Sequence, residues 1–425
     1  MTDFLMTTWE GSGTTPPLMS VAGALVERGH AVRVLADPTL REEVEAVGAH
    51  HLSWTRAPHR TTRSPEADFI RDWGGAGPAE EFARMRDRLA VGPAAAFAAD
   101  VREELERRRP AAVLTELLLF GPLVAAEAAS VPSIILNPTI NVVPAPGVPP
   151  FGAGLMPAST EAERREHDEL SATVMAGWDE ALPALNAARA EQGLPAVEHV
   201  LDQARSAARV LVLTSRAFDF AAPLPPVVRH VGPRLDDPLW AQEWTPPVGD
   251  EPLVLVALSA GFQDQEELLR RIVEALAALP VRAIVTTGHG IDPSTVPAPE
   301  NVDVVRAAPH REVLREARLV VTHCGHGTTL KALAAGVPIV GLPMGRDQLD
   351  VAARVVHTGA GMRLDQSAAP TEIAAAVREV LGDGRYRAAA ERTARVIAEE
   401  TASDLAVAEI EAVVAAAGSH AKATV

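Results

Sequence analysis

The residues best suited to chemistry fall in one run, Thr322-His323-Cys324-Gly325-His326-Gly327-Thr328-Thr329. The β-branched stretch Leu319-Val320-Val321-Thr322 ahead of it reads as a strand, and Thr328–Ala335, stopped by Gly336, reads as a helix. A glycine-bearing turn from strand into helix presents unpaired N–H groups and the positive end of the helix dipole, which together attract an anion. Gly325 and Gly327 let the backbone approach phosphate oxygens with no Cβ in the way. Thr328 and Thr329 add hydroxyl donors, and His323 offers an imidazole N–H. Taken alone, two glycines in such a turn also satisfy steric needs without any ligand.

Cys324 is the sole cysteine, which excludes an internal disulfide and a cysteine-cluster metal site. No base is paired with it in sequence, so its use as a nucleophile is disfavoured. The histidines show no H-x-x-x-H spacing. No metal and no cofactor are expected.

Such a turn must be carried by a parallel α/β sheet. Asp3–Thr8, Ala31–Ala36, Ala112–Glu116 and Ser133–Leu136 read as buried strands, with a helix over Leu18–Arg28 closed by Gly29. A second series runs from strand Leu253–Leu258 and helix Gln265–Ala278. It continues through strands Val281–Thr286, Val302–Val305, Leu319–Thr322 and Ile339–Leu342. This alternation predicts two mostly parallel sheets with right-handed crossovers. Residues 1–215 then form an N-terminal domain and 253–385 a C-terminal domain. The proline-rich segment 216–252 links them, and helices over 386–425 pack across the interface. Two long loops, 55–80 and 137–160, fall at strand carboxyl ends, where open α/β sheets bind ligands.

Bulk composition narrows the partners. With 425 residues, 47% hydrophobic and 22% charged, the chain is long enough for more than one core. Its formal net charge of −17 argues against a nucleic acid or an anionic membrane surface. No apolar run of about 18 residues is present, and the N-terminus lacks a basic, apolar leader. A cytoplasmic protein is expected.

The longer string resembles a known signature. It comprises Ala308-Pro309-His310, the run His323–Thr329, Gly336-Val337-Pro338 and Pro343-Met344-Gly345-Arg346-Asp347-Gln348. Together these resemble the donor-binding signature of family 1 glycosyltransferases of the bacterial natural-product type. The resemblance implies the GT-B fold, two Rossmann-like doubly wound domains facing a central cleft. It also implies that His323, Gly325, His326, Gly327, Thr328 and Thr329 bind the donor diphosphate with support from Ser259. Asp347 and Gln348 would hold the sugar, and the nucleobase would lie near Ala308 and His310. Two positions depart from the pattern: Ala307 stands where many relatives stack a tryptophan on the base, and Lys331 where an acidic residue often contacts ribose. A lysine cannot accept from a ribose hydroxyl, which favours a dTDP-sugar over a UDP-sugar. A solvated helix-face lysine is the plain alternative.

Members of that family usually carry a base histidine in the loop after the first strand, partnered by an aspartate. Here the loop reads Trp9-Glu10-Gly11-Ser12-Gly13-Thr14-Thr15. Thr14 stands about where the histidine aligns, Ser12 two residues earlier, and Glu116 takes the aspartate position. A neutral threonine is a poor base near neutral pH. Three readings stay open: Glu116 acts with a pKa raised by burial, Glu10 or one of His50, His51 and His59 reaches the acceptor, or the acceptor needs little deprotonation.

The resulting expectation is an inverting, metal-independent transfer of a hexose or deoxyhexose to a small hydrophobic acceptor, with a homodimer left open. The alternative is a homologue that kept the fold and lost the chemistry to serve as a partner protein. A nicotinamide enzyme is disfavoured, because Gly11-Ser12-Gly13 is followed by Pro16 where the fingerprint needs glycine.

Overall fold

The computed structural model describes residues 1–423 other than Ser12, Ala76, Trp240, Gln242 and Glu243, with side chains to Gly418. Apolar β-branched runs buried on both faces build two parallel sheets, as fully covered parallel strands require. In the first, among the described residues, seven strands lie in the order β3-β2-β1-β4-β5-β6-β7. These are β1 Asp3–Thr7, β2 Ala31–Ala36, β3 His50–Ser53, β4 Ala112–Glu116, β5 Ser133–Asn137, β6 Arg209–Val212 and β7 Val228–His230. The second runs β10-β9-β8-β11-β12-β13. Its members are β8 Leu253–Ala257, β9 Arg282–Thr286, β10 Val302–Val305, β11 Ala317–Thr322, β12 Ile339–Gly341 and β13 Gly361–Arg363. Both are doubly wound α/β domains of the Rossmann-like kind.

Strand order reverses between β1 and β4 in the first sheet and between β8 and β11 in the second. At such a switch point the loops leave in opposite directions and open a crevice at the carboxyl ends. The β1 loop and Glu116 therefore meet in one domain, and Ser259 and His323 in the other.

Strand β7 pairs with β6, so the first sheet extends into the proline-rich segment expected to be linker. There Asp219 gathers Arg354 Nε at 2.7 Å, His230 Nε2 at 3.0 Å and the Asn141 N–H at 2.8 Å, joining the domains through a buried ion pair. The final helical stretch is two helices, Gly384–Thr401 and Leu405–Ala423. The second seats Ala406, Val407, Ile410 and Val413 in the N-terminal core with Phe4, Leu18 and Leu25.

Candidate active site

A cleft of about 2190 Å³ lies between the domains and is lined from both. On the donor side the helix is His326–Ala334, beginning two residues before the expected Thr328, with Gly325 as its N-cap. Thr329 N–H already bonds the Gly325 carbonyl at 3.0 Å, while the N–H groups ahead of it have no intrahelical acceptor. Gly325, His326, Gly327 and Thr328 line the cleft. Thr329 is fully buried behind them, so its hydroxyl does not reach the cleft surface as the sequence reading expected.

The two glycines serve different ends. A Cβ on Gly325 would sit 2.6 Å from the His323 ring, whereas one on Gly327 would meet nothing within 4 Å. Gly325 is thus a packing requirement of the imidazole, and Gly327 leaves open space in front of the helix end. Cys324 carries the left-handed backbone of the turn, φ 64°, with its sulfur tight against Gly341. Burial pushes its thiol up to about 12, which removes it as a nucleophile.

Burial also holds His323 down at about 4, against the opposing pull of the Ala257 carbonyl and with a further push from Arg346. It is neutral at neutral pH and can give one N–H. His326 is likewise lowered to about 4 by burial. Its Nε2 lies 2.8 Å from Thr214 Oγ1 of the other domain, so this nitrogen serves an interdomain contact instead of the diphosphate.

Asp347 stands at the N-cap position of the helix Gln348–Thr358 without a side-chain capping bond, and its carboxylate accepts from Thr139 Oγ1 at 2.5 Å. Burial raises its pKa, opposed by that hydroxyl and by Arg346. The Gln348 amide oxygen is occupied by the backbone N–H groups of Met344 at 2.9 Å and Gly345 at 3.2 Å, so Gln348 shapes its own loop. Ser259, Ala308 and His310 line the cleft. His310 Nε2 rests 3.2 Å from Thr286 Oγ1. Lys331 is not a solvated surface lysine: its side chain is 10% exposed and its ammonium bonds Asp237 at 2.7 Å.

On the other wall, Glu116 is 1% exposed and raised to about 7 by desolvation. Thr8 Oγ1 donates to one oxygen at 2.8 Å and Trp9 Nε1 to the other at 2.9 Å, which restrains the rise. The Thr14 hydroxyl lies close enough to lower the pKa a little, without hydrogen-bond geometry. Ser12 lies outside the described residues. Glu10 is held by Arg63 at 2.8 Å and does not line the cleft. His50 and His51 sit on β3, and His59 bonds the Ala57 carbonyl; none of the three lines the cleft. This wall also carries an aromatic cluster, with Trp178 between Phe82 at 5.0 Å and Phe120 at 5.8 Å, beside charged groups such as Arg86, Asp168 and Glu180. Among the described residues, no group of three or more His, Cys, Asp or Glu is placed to hold a metal ion.

Residues 270–416 match the family described as erythromycin biosynthesis protein CIII-like, C-terminal domain. The chain is 31% identical over 402 residues to 4'-demethylrebeccamycin synthase of Lentzea aerocolonigenes, covering 91% of this chain and 94% of that protein. The chain belongs to the glycosyltransferases of antibiotic biosynthesis. The glycosyltransferase is also 27% identical to oleandomycin glycosyltransferase of Streptomyces antibioticus, over 85% of this chain and 79% of that one. The solved structure of CalG4, the calicheamicin glycosyltransferase, superposes with a TM-score of 0.76 at 23% identity, covering 98% of both chains. The fold of the glycosyltransferase is GT-B, as the motif resemblance implied.

Several residues that shape this glycosyltransferase's cleft had no signal in the sequence. Thr8 and Trp9 reach Glu116 across 108 and 107 residues, and Thr139 reaches Asp347 across 208. No local pattern marks such partners. Among the described residues, no helix is long and apolar enough to cross a membrane.

Proposed function

We propose that this glycosyltransferase moves a hexose or deoxyhexose from a nucleoside diphosphate, dTDP in preference to UDP, to a small hydrophobic acceptor, with inversion and without metal. The observation that carries this reading is the helix end at Gly325–Thr328, which lines the same cleft as the aromatic cluster of Phe82, Phe120 and Trp178 from the other domain. Free N–H groups and the helix dipole take up the charge that develops on the departing diphosphate. Asp347 binds sugar hydroxyls, Ser259 supports the diphosphate, and the base lies against Ala308 near His310. With Lys331, itself paired to Asp237, in place of an acidic residue, position 331 offers no acceptor to a ribose hydroxyl, and this favours the deoxyribose nucleotide.

Glu116 takes the acceptor proton. Burial keeps it a stronger base than an exposed carboxylate, and Thr8 and Trp9 aim it. The acceptor oxygen or nitrogen then bonds to the anomeric carbon on the face opposite the leaving phosphate oxygen, which departs with the bonding pair.

The test is incubation with dTDP- and UDP-sugars and a panel of aromatic and polyketide acceptors in the presence of chelator, with product anomers assigned by NMR. Product of inverted configuration formed faster from the dTDP-sugar supports the reading. Retention, or dependence on added metal, overturns it.

A further inference from the structure

Two contacts carry the loop after β3 across the cleft. Asp72 accepts from Arg346 Nε at 2.6 Å and from Nη2 at 2.9 Å, a two-pronged pair. Beside it the Trp73 ring meets Phe262 edge to face, with centroids 4.8 Å apart. Arg346 immediately precedes Asp347, and Phe262 follows just after Ser259. Both grips therefore close on loops that carry donor-side residues.

The grips are built, not incidental. Asp72 is 5% exposed, and the Arg346 guanidinium keeps its pKa below the ordinary value despite burial. Arg71 and Arg346, at φ 50° and 57°, adopt left-handed backbone that a residue with a Cβ avoids unless its surroundings enforce it. Those surroundings are present on both sides. The Arg71 carbonyl accepts from Arg84 Nη1 at 2.8 Å, and Trp73 Nε1 donates to Asp68 at 2.9 Å. Asp68 is itself pinned by Arg60 at 2.6 Å. Across the cleft, Gln348 holds the backbone of Met344 and Gly345.

We infer that Asp72 and Trp73 form a clasp that, by gripping Arg346 and Phe262, positions Asp347 on the donor sugar and keeps water from the anomeric carbon. The inference rests on the transfer reading above. None of the four residues reacts; they are positioning residues. With the clasp open, a water oxygen bonds to the anomeric carbon in place of the acceptor. The bond to the diphosphate oxygen breaks, the nucleoside diphosphate leaves with the electron pair, and the water proton passes to solvent.

The test compares sugar transferred with free sugar released from a dTDP-sugar in the presence of an aromatic acceptor. The proteins are the wild type, Asp72→Asn, Arg346→Met, Trp73→Leu and Asp72→Glu. In Asp72→Asn and Arg346→Met the ratio of released to transferred sugar rises by about tenfold and kcat for transfer falls, while the dTDP dissociation constant stays within about twofold. Asp72→Glu recovers most of the wild-type ratio. Trp73→Leu, which leaves the ion pair in place, gives a smaller rise and reports on the clasp should a charge variant fail to fold. An unchanged ratio in Asp72→Asn and Trp73→Leu overturns the clasp while the transfer reading stands. A wild-type protein that binds no dTDP overturns both.

Discussion

The indole of Trp9 donates its Nε1 hydrogen to Oε1 of Glu116 at 2.9 Å, tying the loop after β1 to the end of β4. Thr8 Oγ1 secures the other carboxylate oxygen at 2.8 Å from the same loop. The carboxylate is thereby held in a single orientation at the switch point of the first sheet. Threonine at position 14 leaves Glu116 as the titratable group of that corner that lines the cleft.

Glu116→Gln abolishes the ionisable base while keeping its shape. Transfer is expected to fall by about 10²- to 10⁴-fold, the range a positioned general base contributes. The wild-type rate rises with pH through about 7, where Glu116 loses its proton, and the variant lacks that limb. A pH–rate profile from 5 to 9 on both proteins decides it, and the same rising limb in the variant would falsify the assignment.

The same shift bears on stability. Glu116 titrates near 7 when folded against a reference of 4.5, because desolvation disfavours its charge. Its protonated form stabilises the native state fully below the unfolded pKa, and that contribution is lost as pH rises through the folded one. The melting temperature of Glu116→Gln is therefore expected to gain on that of the wild type between pH 5 and pH 8. Parallel melting curves across this window would rule it out.

Gly325 and Gly327 separate packing from binding. Gly325→Ala drives a Cβ into the His323 ring and costs about 1–3 kcal/mol through overpacking. Gly327→Ala meets no neighbour within 4 Å and favours the helix, so stability holds or rises by up to about 1 kcal/mol. Its methyl group nonetheless occupies the space before the helix end and weakens dTDP binding. Thermal melts and calorimetry on both variants should show opposite patterns, and equal losses of stability would contradict the distinction.

Asp347→Ala removes a charged acceptor from the sugar end and releases Thr139 from its 2.5 Å contact. A drop in kcat/KM of about 10- to 150-fold is expected, since a hydrogen bond to a charged group is worth about 1.5–3 kcal/mol. Binding of dTDP alone, which lacks the sugar, is expected to survive. Loss of dTDP binding equal to the loss of activity would place Asp347 elsewhere.

Cys324 is buried and its thiol sits near 12. Iodoacetamide at pH 8 is expected to leave native activity intact and to label the protein only in denaturant. Rapid labelling of the folded enzyme, followed by mass spectrometry, would refute this.

The order of residues by itself determined the two doubly wound sheets, the donor helix with its glycine turn, and the position of Glu116 at a strand end. Those features depend on neighbours a few residues apart: β-branched runs between glycines, and a strand leading into a helix. The tertiary structure alone decided what each side chain does. It turned His326 toward Thr214, put Thr329 behind the cleft wall, paired Lys331 with Asp237 and joined Asp72 to Arg346. These partners stand 94 to 274 residues apart. Such contacts carry no periodicity, and they form only once two separately built sheets bring their carboxyl ends together across one cleft.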